Sequence, residues 1–180
     1  MATPTSLPAT FVAGNVLTAA QMNDLRGAFR ILQVVSTTKT DTFTTTSTSF
    51  TDVTGLSLSI TPSSATSKVL VFSTLAITGD AGASVSFGLL VRDSTALFIG
   101  DAAGSRIQAS FYGDSDPNNL LQQGITYLDS PATTSATTYK VQVRSGASPG
   151  VTYVNRTETD TNNNQYSRSA SSITAVEVSA

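Results

Sequence analysis

Gly55-Leu56-Ser57-Leu58-Ser59-Ile60-Thr61-Pro62 decides the fold class of this chain. Leu56, Leu58 and Ile60 alternate with Ser57, Ser59 and Thr61. A period of two puts the apolar side chains on one face of a strand and the hydroxyls on the other. Pro62 ends the run, because its ring leaves no N–H for a ladder. The pattern recurs downstream in Val85, Phe87, Leu89 and Val91, then in Ile107, Ala109 and Phe111, and again in Tyr139, Val141 and Val143. Val151 with Tyr153, and Ile173, Ala175 (or Val176) and Val178, read the same way.

Working outward from that stretch, residues 68–77 form an apolar run (Val69, Leu70, Val71, Phe72, Leu75, Ile77) of the kind that crosses a buried core. Upstream, residues 33–43 read as one long extended strand and 44–49 as a polar turn. Turn residues gather at 63–67, 79–82 and 93–94, and longer polar loops at 113–119 and 157–168. About nine or ten short strands separated by such turns predict an all-β body, a single jelly-roll-like β-sandwich over residues 33–180.

Composition explains how such a body would stay solvated. Charged residues are only 12 % of the chain, half the usual share, while Ser and Thr make up 54 of the 180 residues. The surface is therefore polar through hydroxyls. Thr suits a pleated strand because of its branched Cβ. The net charge of −2 offers no basic patch to displace counterions, so no nucleic-acid partner is expected. No stretch is apolar for long enough to span a bilayer, and the first eight residues lack the basic and apolar parts of an export signal.

The N-terminal segment is of another kind. Pro4 and Pro8 forbid a helix over residues 1–17, which read as an extended arm carrying Phe11 and Val12. Thr18 and Gln21 then form a capping box, with Leu17 and Met22 as its hydrophobic staple. A short α-helix is expected over residues 18–32. Its apolar positions Met22, Leu25, Phe29 and Leu32 have a/d spacing and predict an oligomerising seam. The competing reading packs this helix on its own sheet and the arm on its own helix.

Catalytic and metal chemistry finds little footing. The chain has no His and no Cys, which removes Ser-His-Asp and Cys-His sites, the usual zinc ligands and any disulfide. Asp114, Asp116, Asn118 and Asn119 in one loop, and Asp160, Asn162 and Asn164 in another, offer hard oxygens for Ca²⁺, but neither has the Gly and distal Glu of the familiar Ca²⁺ loop. Asn155-Arg156-Thr157 matches the N-glycosylation pattern. No enzyme activity, no metal and no cofactor are expected.

Residues 7–23, LPATFVAGNVLTAAQMN, resemble the opening of many tailed-bacteriophage virion proteins of the minor tail, tail-fibre, head-fibre or decoration type. Residues 48–62 are similar to the start of the β-domain that often follows, and residues 137–142 and 171–178 to its closing strands. The resemblance implies a homotrimeric structural protein on the virion exterior, in which the arm, through Phe11, Val12 and Leu17, docks on another virion protein. It implies no catalytic residue. Three functions follow as expectations: a tail-associated appendage with host-surface contact, a capsid decoration or head-fibre protein, or a carbohydrate-binding module that recognises a host-cell glycan.

Overall fold

The computed structural model describes residues 14, 16, 18, 19, 31–83, 85–114, 116 and 118–179. Among them the named elements are all strands: β1 (Ile31–Lys39), β2 (Phe43–Thr45), β3 (Thr51–Ile60), β4 (Lys68–Gly79), β5 (Ser86–Arg92), β6 (Thr95–Leu97), β7 (Phe111–Gly113), β8 (Leu121–Asp129), β9 (Thr137–Ser145), β10 (Thr152–Val154) and β11 (Ser171–Val178). The all-β expectation holds.

Pairing is nested. β1 pairs β11, β3 pairs β9, β4 pairs β8, and β5 pairs β6 and β7, all antiparallel. Along the chain this is one long two-stranded ribbon, first strand with last, closing inward on the β5–β6 hairpin. The ribbon folds on itself, so that β11 also pairs β4 and β9 also pairs β5. One sheet therefore holds β8, β4, β11 and β1, with β10 and β2 continuing beside the far end of β4; the other holds β3, β9, β5, β6 and β7.

The inner faces of the two sheets share one core. Leu56, Leu58, Ile60, Tyr139, Val141 and Val143 from one meet Val69, Val71, Leu75, Ile77, Ile173 and Ala175 from the other. Each fully buried aliphatic side chain contributes roughly 1.5–3 kcal/mol.

Where the sheets part at their edges, side-chain amides bridge the gap. Gln33 on β1 donates through Nε2 to the Thr61 carbonyl (2.7 Å) just past β3, and Thr37 Oγ1 donates to the Ser57 carbonyl (3.1 Å) on β3. At the opposite edge Gln123 on β8 accepts the Tyr112 N–H at Oε1 (3.0 Å) and donates Nε2 to the Tyr112 carbonyl on β7. The Gln123 amide thus copies the pairing of a strand residue.

Asn155, Asp129 and Glu177 are among the polar groups buried with their partners. Asn155 is closed to solvent with φ 62°, a conformation that Asn tolerates. Its Nδ2 donates to the Lys39 and Asp41 carbonyls (2.9 Å each), and its Oδ1 accepts from Ser171 Oγ (2.6 Å). Asp129 takes both carboxylate bonds from Arg92 (2.7 Å each) and one from the Tyr139 hydroxyl (2.6 Å). Burial, reinforced by that carboxylate, pushes the Tyr139 phenol well above its ordinary value. Glu177 accepts from Gln33 Nε2 (2.6 Å), Ser63 N and Ser63 Oγ (2.7 Å each). Burial raises the Glu177 pKa, but these donors outweigh it and hold the carboxyl below the usual range.

Several expected boundaries move. The expected helix does not reach Leu32: Ile31 and Leu32 lie in β1, and Ile31 stands opposite Val178, because residues 31–39 find a ladder partner in β11. The β-pairing thus starts two residues ahead of the expected boundary at 33. The single strand read over 33–43 is two, broken at 40–42, and the turn read from 44 begins inside β2. Ile107 and Ala109 sit in a loop, and only Phe111–Gly113 of that alternation is a strand. Met22, Leu25 and Phe29 of the seam, and Phe11, Val12 and Leu17 of the arm, lie outside the described residues.

Two outcomes follow. Asn155→Ala removes the side-chain donor to the Lys39 and Asp41 carbonyls and the acceptor of the Ser171 O–H, which keeps only its bond from the Ala76 N–H, and urea unfolding should show a loss of about 2–3 kcal/mol with an unchanged slope. Glu177 has a folded-state pKa below its unfolded one, so its stabilisation is complete above the ordinary value of 4.5 and disappears as pH falls through the lowered value. Glu177→Gln should therefore be less stable than the parent at pH 7, and the gap should close as the midpoints are followed down towards pH 3.

Candidate functional site

Two surfaces stand out, one on the outer face of β4 and β8 and one at the sheet edge where Tyr127 and Gln123 of β8 meet loop 98–110. On the outer face of the β8-β4-β11-β1 sheet, register aligns Leu128, Leu70, Val176 and Val34 in one row across the four strands. Strand spacing makes this row about 14 Å long. Val34 is 59 % exposed, Leu128 56 %, and Phe72, one pleat further along β4, 43 %. Leu32 continues the apolar edge on β1.

The next rows carry hydroxyls, two pairs of which bond across strands. Ser36 Oγ and Thr174 Oγ1 are 2.7 Å apart across β1 and β11, and Thr74 Oγ1 and Ser172 Oγ are 3.0 Å apart across β4 and β11. The one charged side chain pointing outward from these four strands is Lys68, whose Nζ donates to Ser130 Oγ (2.7 Å). The opposite sheet is different. Its outer face carries the Lys140–Asp52 ion pair (2.9 Å), with Gln142 also donating to Asp52, and Arg144 over the Phe50 and Phe87 rings. Those two donors hold the Asp52 carboxyl below its usual value.

The second surface is a groove beside loop 98–110. It has two adjoining parts, of about 620 Å³ and 350 Å³, which meet at Gly100 and Ala109. Phe98 is 48 % exposed, has φ 50°, and lies edge-on to Tyr127 with ring centroids 6.0 Å apart. A bulky aromatic residue in the left-handed region is strained and is held there by its surroundings. Here the neck of the loop does the holding: Ser110 Oγ donates to the Leu97 carbonyl (2.8 Å), and Gln108 Nε2 to the Gly100 carbonyl (2.6 Å). Tyr112, edge-on to Phe87, and Arg106 line the further part.

In both oxygen-rich loops, described carboxylates are bonded within the protein. Both Asp160 carboxylate oxygens bond Arg168 (2.8 and 2.6 Å), with Arg156 3.3 Å away, and the Arg168 bond lowers the Asp160 pKa. In the other loop Asp116 Oδ1 accepts the Asn118 N–H (3.0 Å), and the Asp116 carbonyl accepts from Thr78 Oγ1 (3.0 Å). Among the described residues no cluster of three acidic, His or Cys groups could hold a metal.

Of the residues named for the seam and the arm, Leu32 alone is described, and it lies in β1 on the apolar edge rather than in a helical seam. The apolar row escaped the reading because its members are scattered over four strands and only register aligns them. A sequence signal did exist: the run at 68–77 is apolar on both faces, although one face looks outward. No protein-family model matches the chain, and a search of curated proteins finds no relative.

Proposed function

We propose that this chain is a structural protein of a tailed-phage particle, displayed on the particle exterior as a homotrimer whose body is a jelly-roll β-sandwich. The nested pairing carries this reading. A ribbon paired first-to-last and folded over, with β1, β11, β4 and β8 in one sheet and β3, β9, β5 and β6 in the other, supports a jelly-roll reading, an architecture common in viral coat and lectin domains. The resemblance of residues 7–23 to phage virion proteins supplies the particle. In this reading the arm, through Phe11, Val12 and Leu17, docks on another virion protein, the seam Met22, Leu25 and Phe29 gathers three copies, and the β-body faces outward.

Within the particle we favour a tail-associated position, with a capsid decoration or head-fibre position as the alternative. Antibody raised against the β-body should label intact particles at the tail. Label confined to the head would favour decoration, and particles that stay unlabelled until disrupted would overturn display altogether.

The groove at loop 98–110 favours a second reading, a module that recognises a host glycan. Phe98, Tyr127 and Tyr112 offer ring faces and edges to sugar C–H groups, and Gln108 and Arg106 lie beside them as donors. Glycan-array binding that Tyr127→Ala reduces at least tenfold would support it. An array without signal at high protein concentration would dismiss it.

A further inference from the structure

We infer that the outer face of the β8-β4-β11-β1 sheet is where copies of this chain meet, and that its occupant is a second copy of the same face, three of them closing around a common axis. This rests on the trimeric reading above and goes beyond it by placing the interface on the β-body.

Three observations carry it. The first is the row Val34, Val176, Leu70 and Leu128 with Phe72 beside it, apolar side chains gathered on one sheet rather than scattered singly. The second is that the face can be dried at little cost. Burying an unpaired hydroxyl is expensive, but Ser36 is bonded to Thr174 and Thr74 to Ser172 inside the face, which lowers what these hydroxyls would lose with their water. The third is charge. Two identical faces meet without repulsion only if each is nearly neutral. This one shows Lys68 alone, at its margin and bonded to Ser130, while Lys140, Asp52 and Arg144 crowd the opposite sheet. The charged sheet is suited to water and the neutral one to its own copy.

The chain's course selects the occupant. The described strands begin at Ile31, on the β1 edge of this face, beside Leu32 and Val34. The thirty residues before it, with the apolar positions Met22, Leu25 and Phe29, therefore enter at the corner of the face. Copies joined through those residues would bring their β1 edges together first. A face for an unrelated partner would have no reason to lie at that corner.

The test uses the full chain, which has no cysteine of its own. Sedimentation equilibrium of the parent should give about 56 kDa, three times the 18.6 kDa chain. Phe72→Asp with Leu128→Asp should lower the mass or weaken association at least tenfold, with the far-ultraviolet spectrum unchanged. Parent and variant both at three chains would overturn the face and leave the trimer standing. A parent at one chain would overturn the trimer, and this inference with it. As a check that tolerates a variant failing to fold, Phe72→Cys should react with maleimide at least tenfold more slowly than Thr48→Cys in an exposed turn. Equal rates would show the face open to solvent and would overturn the inference.

Discussion

The structure depends on strand β4 being paired along both edges. β8 covers residues 69–77 on one side; β11 takes 68–74 and β10 takes 77–79 on the other. A backbone polar group buried without a partner costs as much as a lost hydrogen bond, so a strand this apolar is secure only at the centre of a sheet. Once β4 is central, much of the ribbon follows. β8 and β11 must flank it although they are far apart in the chain, while β3, which precedes β4, and β9, which follows β8, are carried to the second sheet. Nested pairing is what one apolar twelve-residue strand imposes on the chain around it.

Folding a ribbon over leaves two open edges, and here each is managed by an amide. An unpaired strand edge is a template for another chain. Gln33 and Gln123 point across these gaps and bond backbone atoms of the facing sheet. A Gln side chain carries the same donor and acceptor as a peptide group, so it can stand in for the missing strand without lengthening the sheet. Gln33 also donates to Glu177, which ties the edge to a buried carboxylate in the last strand. Closing the ribbon and burying Glu177 are thus one event.

How much of this could be read from the sequence depended on the range of the information. Alternation is local, so the strands around 56–60, 68–77, 137–144 and 173–178 were legible from a few residues each. Pairing is not local. Nothing within 68–77 says that Leu70 will stand beside Val176 and Leu128, and the apolar row was invisible until register placed its members together. Propensity misled at Ile31 and Leu32, where helical spacing from Met22 onward competed with a β-ladder, and the ladder to β11 prevailed. The groove was missed for a third reason: Ile107 and Ala109 have strand spacing, but hydrogen bonds at the loop neck, from Ser110 and Gln108, hold the backbone in a loop.

The low charge of the chain takes on a different sense once the faces are separated. Averaged over the sequence, 12 % charged residues looks like a uniformly neutral surface. In the fold the charge is divided unevenly: the β3-β9 face carries Asp52, Lys140 and Arg144, and the arginines of the 156–168 loop clasp Asp160, while the outer face of β8-β4-β11-β1 carries hydroxyls and apolar side chains with Lys68 at its margin. Ser and Thr are the residues that make such a division workable. A hydroxyl can bond water when the face is open, or its cross-strand neighbour when the face is closed, and the pairs Ser36–Thr174 and Thr74–Ser172 are already in the second state. A lysine or glutamate at those positions would hold the face in water. A leucine there would expose a patch prone to unselective sticking. In the proposed assembly, hydroxyl-rich strands between apolar rows would leave the face solvated while copies are apart and let it dry when they meet.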